Sequence, residues 1–298
     1  IGLVISALVS AALGWMVASS GMRPIRQVTW VAASMSAKSL KERIPLAPVP
    51  KELQQMVLSF NAMLSRLDDA FVRLSNFSAD IAHELRTPVS NLMTHTEVVL
   101  SRKRNIEDYE DNLYSNLDDL KRMSRMIDDM LFLAKSDNGL ITHESKPIDL
   151  VAVVEKLLEY YRLLADERGI ELKVSGRGSV RGDVLMLHRA ISNLLSNALR
   201  YTYEGTSISV DIQHKDASVT VVVENYGEPI APEHLEKLFD RFYRVDPARR
   251  EGSPSNAGLG LSITRSIVEA HNGKIWCTSG DGKTAFHLEF PAVDSTVS

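Results

Sequence analysis

His83 stands beside Glu84, with Thr87 and Pro88 about one helical turn further on. Neutral imidazole is a nucleophile near pH 7, and an adjacent carboxylate can hold or remove the proton on the other ring nitrogen. Pro88 deletes a backbone donor, so a helix carrying this run should bend there more readily. A second constellation, Asn193 and Asn197, puts two amides at i and i+4 on one helical face. Their neutral oxygens suit Mg²⁺ held together with nucleotide phosphates, although two such amides equally cap loops. A third run, Asn256-Ala257-Gly258-Leu259-Gly260-Leu261, opens an apolar helical period. Its backbone N–H groups can cradle phosphate at the positive end of that helix. Singly each signal is weak, since an exposed histidine or a lone GxG commonly has no special role.

The elements that must position these residues differ along the chain. Leu67, Phe71, Leu74, Ser78, Ile81, Leu85, Pro88, Leu92, Thr96 and Val99 alternate by three and four, and so do Leu113, Leu117, Leu120, Ser124, Ile127, Leu131 and Ala134. This predicts a helical hairpin turning near 102–105. Two helices bury little surface, so a homodimer forming a four-helix bundle is expected. His83 lies two residues from both Ile81 and Leu85, off the seam, and is exposed by pattern. The acidic residues from Glu107 to Asp119 read as a solvated face. Met123, Met126 and Met130 tempt a copper reading, yet their helical spacing favours bundle packing.

No charge occurs from Ile1 to Met22, and Arg23 and Arg26 follow at once. Such a run is about 33 Å long as a helix, enough for a membrane span over 1–22 with the remainder cytoplasmic. The chain opens on Ile inside this run, which suggests a fragment whose earlier, external part is missing. Pro24, Pro45, Pro48 and Pro50 bracket an amphipathic segment and a connector. Leu53, Val57, Phe60 and Leu64 then resume a stripe, so 23–75 reads as two short helices with an extended linker.

The hairpin occupies 76–139, and a mixed order of elements follows over 147–292. Helices are expected at Asp149 to Arg168, Asp183 to Tyr201 and Leu259 to His271. Strands are expected at Ile170 to Val174, Ile208 to Gln213, Val219 to Asn225, Lys274 to Thr278 and Thr284 to Phe290. The result is an α+β sandwich with helices on one face of a mixed sheet. The chain has 298 residues, 44% hydrophobic and 24% charged, with net charge −4 and a single cysteine, Cys277. That excludes a disulfide framework and a zinc cluster, and gives no basic excess for nucleic acid.

In combination these motifs are specific. The run from Phe77 to Pro88 resembles the H-box of sensor histidine kinases of two-component systems. Asn193 to Tyr201, Val223 to Ile230 and Asn256 to Leu261 resemble, in order, the N, G1 and G2 boxes of their ATPase domain, of the GHKL or Bergerat type. The stretch Arg23-Pro24-Ile25 with Pro50-Lys51-Glu52-Leu53 is similar to a HAMP linker. The resemblance implies that His83 accepts the γ-phosphoryl group of ATP and passes it to an aspartate of a response regulator, with Glu84 handling the proton. It implies that Thr87 orients water for a reverse phosphatase reaction. Asn197, helped by Asn193, would bind Mg²⁺, Arg200 would meet phosphate and Tyr201 would stack on adenine. Asn225, Gly227, Gly258, Leu259, Gly260, Leu261 and Thr284 would complete the nucleotide site, and Arg241 and Arg244, in a mobile lid, would neutralise the γ-phosphate. Such proteins sit in the bacterial inner membrane. Wording around Leu58-Ser59-Phe60-Asn61, Ser75 to Asp80 and Leu238 to Asp246 is similar to the heavy-metal branch, the CusS-type copper and silver sensors.

Departures exist. Asn225 replaces the usual adenine-reading Asp, Pro229 and Asn256 replace glycines, and Lys283 stands before Thr284 where a glycine is expected. Asn tolerates left-handed backbone, so Asn256 is a minor change. Asn225 and Lys283 bear on nucleotide affinity. They keep open a membrane signalling adaptor with a decayed nucleotide site, while chaperone and DNA-repair ATPases of the same fold would lack His83 on a hairpin.

Overall fold

The computed structural model describes residues 2, 3, 5–16, 41–46, 51–140, 145–215, 217–245 and 258–292. The motif residues Arg23-Pro24-Ile25, Pro48, Pro50, Asp246, Asn256 and Ala257 lie outside these residues. The chain divides into two units, 1–86 and 87–298.

In the first unit residues 5–16 are helical. Among the described residues no helix is long and apolar enough to cross a membrane, and part of the expected span over 1–22 lies outside them. Residues 42–45 belong to neither helix nor strand, and Ile44, like Val57 and Leu64, is buried. Asn61 fastens this segment from both sides. Its Oδ1 accepts from the Ile44 N–H at 3.0 Å and its Nδ2 donates to the Ile44 carbonyl at 2.9 Å. Each bond is worth about 0.5–1.5 kcal/mol, and together they set which connector residue faces the Val57 and Leu64 stripe.

Helix α1 runs unbroken over Lys51–Leu100. The expectation of a short linker helix separate from the hairpin is corrected here. The step from Leu64 to Leu67 keeps the three-and-four rhythm, and no Gly or Pro intervenes before Pro88. Pro88 itself lies inside the helix, and its missing N–H leaves the Glu84 carbonyl without its usual intrahelical donor.

In the second unit, residues 101–105 join α1 to α2 (Ile106–Asp137). Asn105 caps α2, accepting from the Asp108 N–H at 2.7 Å. The sandwich follows as β1 (Lys146–Asp149), α3 (Leu150–Asp166), β2 (Glu171–Gly176), β3 (Ser179–Gly182), α4 (Val184–Tyr201), β4 (Ser207–Lys215) and β5 (Ser218–Tyr226), then α5 (Pro232–Leu235), a 3₁₀ turn Lys237–Phe239, α6 (Gly260–Ala270), β6 (Lys274–Gly280) and β7 (Lys283–Pro291). The five-stranded sheet has the order β2-β4-β5-β7-β6, parallel only between β2 and β4. Strands β1 and β3 form a separate antiparallel ribbon. At four residues each they are too short to show a period, which is why the sequence pattern misses them.

One sheet face is apolar. Val219, Val221, Val223, Phe286, Leu288 and Phe290 pack under α3 and α4, where Leu157, Ile191, Leu194 and Leu195 are buried. Each such side chain contributes about 1.5–3 kcal/mol relative to exposure. Asp149 and Asp183 cap α3 and α4, accepting from Val151 N–H at 3.0 Å and from Leu185 N–H at 2.8 Å. His271, buried at the end of α6, accepts from the Asp183 N–H through Nε2 at 3.0 Å and donates from Nδ1 to the Ile267 carbonyl at 2.7 Å. It thereby ties the start of α4 to the end of α6.

Candidate functional site

His83 is exposed on α1, as its position off the seam implies, and Glu84 beside it is half-buried. Thr87, four residues on, is exposed.

Within the sandwich the polar motifs meet along α4. Asn193 Nδ2 donates to the Gly260 carbonyl at 3.0 Å, which fastens the amide to the turn opening α6. Asn197 is half-buried one turn later on the same face. Among the described residues the first turn of α6 has no side-chain cap, and backbone donors at a helix start suit an anion. Leu259 is buried in the core and Leu261 half-buried, so these two can serve a ligand only through their backbone. Gly258 has φ +72°, and a Cβ there would fall 2.9 Å from the Phe242 backbone, so glycine is required. Phe242 faces it, also at positive φ (60°), and donates its N–H to the Gly258 carbonyl at 3.1 Å.

At the far end of α4, Tyr201 is half exposed, and its carbonyl oxygen approaches Gly227. A Cβ on Gly227 would meet that oxygen at 2.5 Å and the Asn225 Nδ2 at 3.4 Å. Asn225 and Thr284 are cross-strand partners and both are buried. Ser279, which the motifs do not single out, joins this end: its Oγ lies 2.8 Å from the Thr284 Oγ1 and accepts from the Ile230 N–H at 2.9 Å. Only its alternation with Cys277 on the sheet's inner side marks it in the sequence.

Lys283 does not enter this region. Its Nζ donates to the Glu224 carboxylate at 2.8 Å and sits 4.8 Å from the centre of the Tyr226 ring. Glu224 and Tyr226 alternate with buried Val223 and Asn225, so Lys283 lies on the opposite face of the sheet from Asn225 and Thr284. The hydrogen bond to Glu224 holds its ammonium above the usual lysine range.

Arg200 and Arg244 are half-buried. Arg241 pairs with Asp137, the last residue of α2, and the neighbouring Tyr243 hydroxyl lies 2.6 Å from His234 Nδ1. Two surface cavities of about 630 and 670 Å³ lie elsewhere, one between α6 and β6 and one between α3 and β2. Among the described residues no cluster of His, Cys, Asp or Glu could hold a metal. The oxygen donors at hand for Mg²⁺ are the amides of Asn193 and Asn197, which suit a hard cation that keeps phosphate and water as its other ligands.

Comparison with known proteins identifies the domains that carry these residues. Residues 16–69 match the HAMP domain, 73–139 the His Kinase A (phospho-acceptor) domain, and 182–294 the histidine kinase-, DNA gyrase B- and HSP90-like ATPase. The chain is 60% identical over 256 residues to the sensor protein CopS of Pseudomonas syringae pv. tomato, covering 86% of this chain and 53% of that one. It is 52% identical over 274 residues to the sensor histidine kinase CusS of Escherichia coli K12, covering 91% and 57%. The chain thus spans about half the length of the curated relatives it matches. Among solved structures, the histidine kinase AdeS of Acinetobacter baumannii superposes with TM-score 0.58 at 23% identity, covering 71% of this chain and 98% of that one. The histidine kinase ThkA, in complex with the response regulator protein TrrA, gives TM-score 0.61 at 21% identity, covering 77% and 65%; both likenesses concern the fold. A phospho-acceptor hairpin and an ATPase sandwich joined in one chain behind a HAMP segment place it: the chain belongs to the sensor histidine kinases.

Proposed function

We propose that the protein of which this chain is part is an ATP-dependent protein-histidine kinase that phosphorylates itself on His83. The carrying observation is that an exposed His83 on an unbroken helix shares one chain with a sandwich whose Asn193 amide is tied to the glycine turn opening α6. A ring nitrogen of His83 attacks the γ-phosphorus, the bond from γ-phosphorus to the bridging oxygen breaks, and ADP leaves. Glu84 takes the proton from the other ring nitrogen, so the phosphorylated ring ends neutral. Mg²⁺, when bound through Asn193 and Asn197, would supply charge neutralisation at the phosphates. Arg200, Arg241 and Arg244 add positive charge, Tyr201 offers a stacking face for the base, and Gly227, Gly258, Leu259, Gly260, Leu261 and Thr284 line the remainder.

The phosphoryl group then passes to a carboxylate oxygen of a response regulator aspartate, and Thr87 positions water for its later hydrolysis. We place the protein in the inner membrane through 1–22, as a homodimer. In support of the dimer, Leu113, Leu117, Leu120, Ile127 and Leu131 on α2 expose apolar surface in register with the bundle stripe. Similarity to CopS and CusS supports a response to copper or silver stress. The orientation of Lys283 argues against a decayed nucleotide site.

The test is incubation with γ-³²P-ATP and Mg²⁺. Acid-labile, base-stable label should appear on wild type and vanish in His83→Gln, while a fluorescent ATP analogue still binds the variant. Label retained in that variant would remove His83 from its role, and nucleotide binding without any label would favour the adaptor.

A further inference from the structure

Asn225 is a buried amide, only 4% exposed, at the end of β5 on the helix-covered face of the sheet. Its place relative to the phosphate elements follows from α4. Asn193, tied to the glycine turn, precedes Tyr201 by eight residues, about 12 Å along the helix axis at 1.5 Å per residue. The Tyr201 carbonyl is the group that crowds Gly227, and the Asn225 Nδ2 borders the same space. That separation is comparable with an extended nucleoside triphosphate. With phosphates at the turn opening α6, the base falls at the far end of α4, beside Asn225, where the Tyr201 carbonyl closes against Gly227.

We propose, resting on the nucleotide-binding reading above, that Asn225 makes this pocket accept purine triphosphates bearing a 6-oxo group as well as those bearing a 6-amino group. A carboxylate at this position could only accept hydrogen bonds, and would repel a 6-oxo oxygen. An amide has one accepting and one donating edge. Toward adenine, Oδ1 accepts from the 6-amino group and Nδ2 donates to N1. Toward hypoxanthine or guanine, a half-turn about the terminal torsion lets Nδ2 donate to O6 while Oδ1 accepts from N1–H. Such terminal torsions are broad and nearly two-fold. Lys283 does not impose one orientation on the amide through its charge. The nearby cation, Lys283, is held by Glu224 on the other face of the sheet, and the cross-strand Thr284 hydroxyl is engaged with Ser279.

The experiment measures labelling of His83 by γ-³²P-labelled ATP, ITP and GTP at equal concentration with Mg²⁺, in wild type and Asn225→Asp. ITP carries the 6-oxo group without the 2-amino group of GTP, so it separates readout of the 6-position from crowding at the 2-position. In wild type at least one 6-oxo nucleotide should label within tenfold of ATP, and Asn225→Asp should lower the ratio of 6-oxo to ATP labelling at least tenfold. Labelling of wild type by ATP but by neither ITP nor GTP overturns the proposal, as does a ratio unchanged in the variant. Displacement of a fluorescent ATP analogue by the three nucleotides decides the matter independently of transfer. If nothing labels His83, the kinase reading fails; displacement by a 6-oxo nucleotide within tenfold of ATP still supports the proposal, and weaker displacement by both still overturns it.

Discussion

The guanidinium of Arg189, on α4 of the sandwich, pairs with the carboxylate of Asp129 on the second hairpin helix and lies over the Phe132 ring, 4.6 Å from its centre. Met126, Met130 and Leu133 are buried on the same helix, which packs against α6. Burial raises the Asp129 carboxyl above its ordinary 3.8, outweighing the attraction of Arg189. A raised acid binds more protons folded than unfolded, so its ionisation costs stability as pH climbs from about 3.8 through the raised value. Asp129→Asn should therefore remove a loss of stability with rising pH across that window. Thermal unfolding of both proteins at a series of pH values checks this, and parallel curves would contradict it.

Thr87→Ala should leave self-phosphorylation within a few-fold of wild type and prolong the life of the phosphorylated regulator in the presence of ADP. Thr87 is exposed, so its loss removes a hydroxyl from the surface rather than core packing. Kinase and phosphatase rates measured on one preparation distinguish this from a local backbone role, which would lower both together.

Asn197→Ala should weaken Mg²⁺-dependent nucleotide binding and stop labelling, since a methyl group offers no metal ligand. Titration of nucleotide with and without Mg²⁺ reads the effect, and an undiminished Mg²⁺ dependence would contradict the assignment.

Gly227→Ala places a Cβ 2.5 Å from the Tyr201 carbonyl oxygen, so backbone must shift. Overpacking of this kind costs about 1–3 kcal/mol. The melting temperature should fall by several degrees and nucleotide affinity by tenfold or more. An unchanged melting temperature would show that the approach between α4 and β5 is looser than described.

Burial pushes the Cys277 thiol up to about 12. Native protein at pH 8 should resist iodoacetamide and react once unfolded, because the thiolate is the nucleophile. Mass spectrometry of alkylated protein checks this, and equal rates in the two states would refute it.

Much of this arrangement is legible in the residues alone. The three-and-four stripe places the hairpin and keeps His83 off its seam, because side-chain direction on a helix follows from spacing. Asp149 and Asp183 mark helix starts because a carboxylate bonds backbone donors within its own turn. Local rules of this kind need only a few consecutive residues. What they cannot supply is which distant groups meet. The bond from Asn193 to the Gly260 carbonyl, the pairing of Arg189 with Asp129, the Ser279 contact with Thr284 and the turning of Lys283 toward Glu224 join residues from different elements or from different strands. Lys283 shows why: its type and its place beside Thr284 suggest interference with the nucleotide, and only strand register decides which face of the sheet it occupies. Side chains alternate along a strand, so a shift of one residue would have carried it to the nucleotide side.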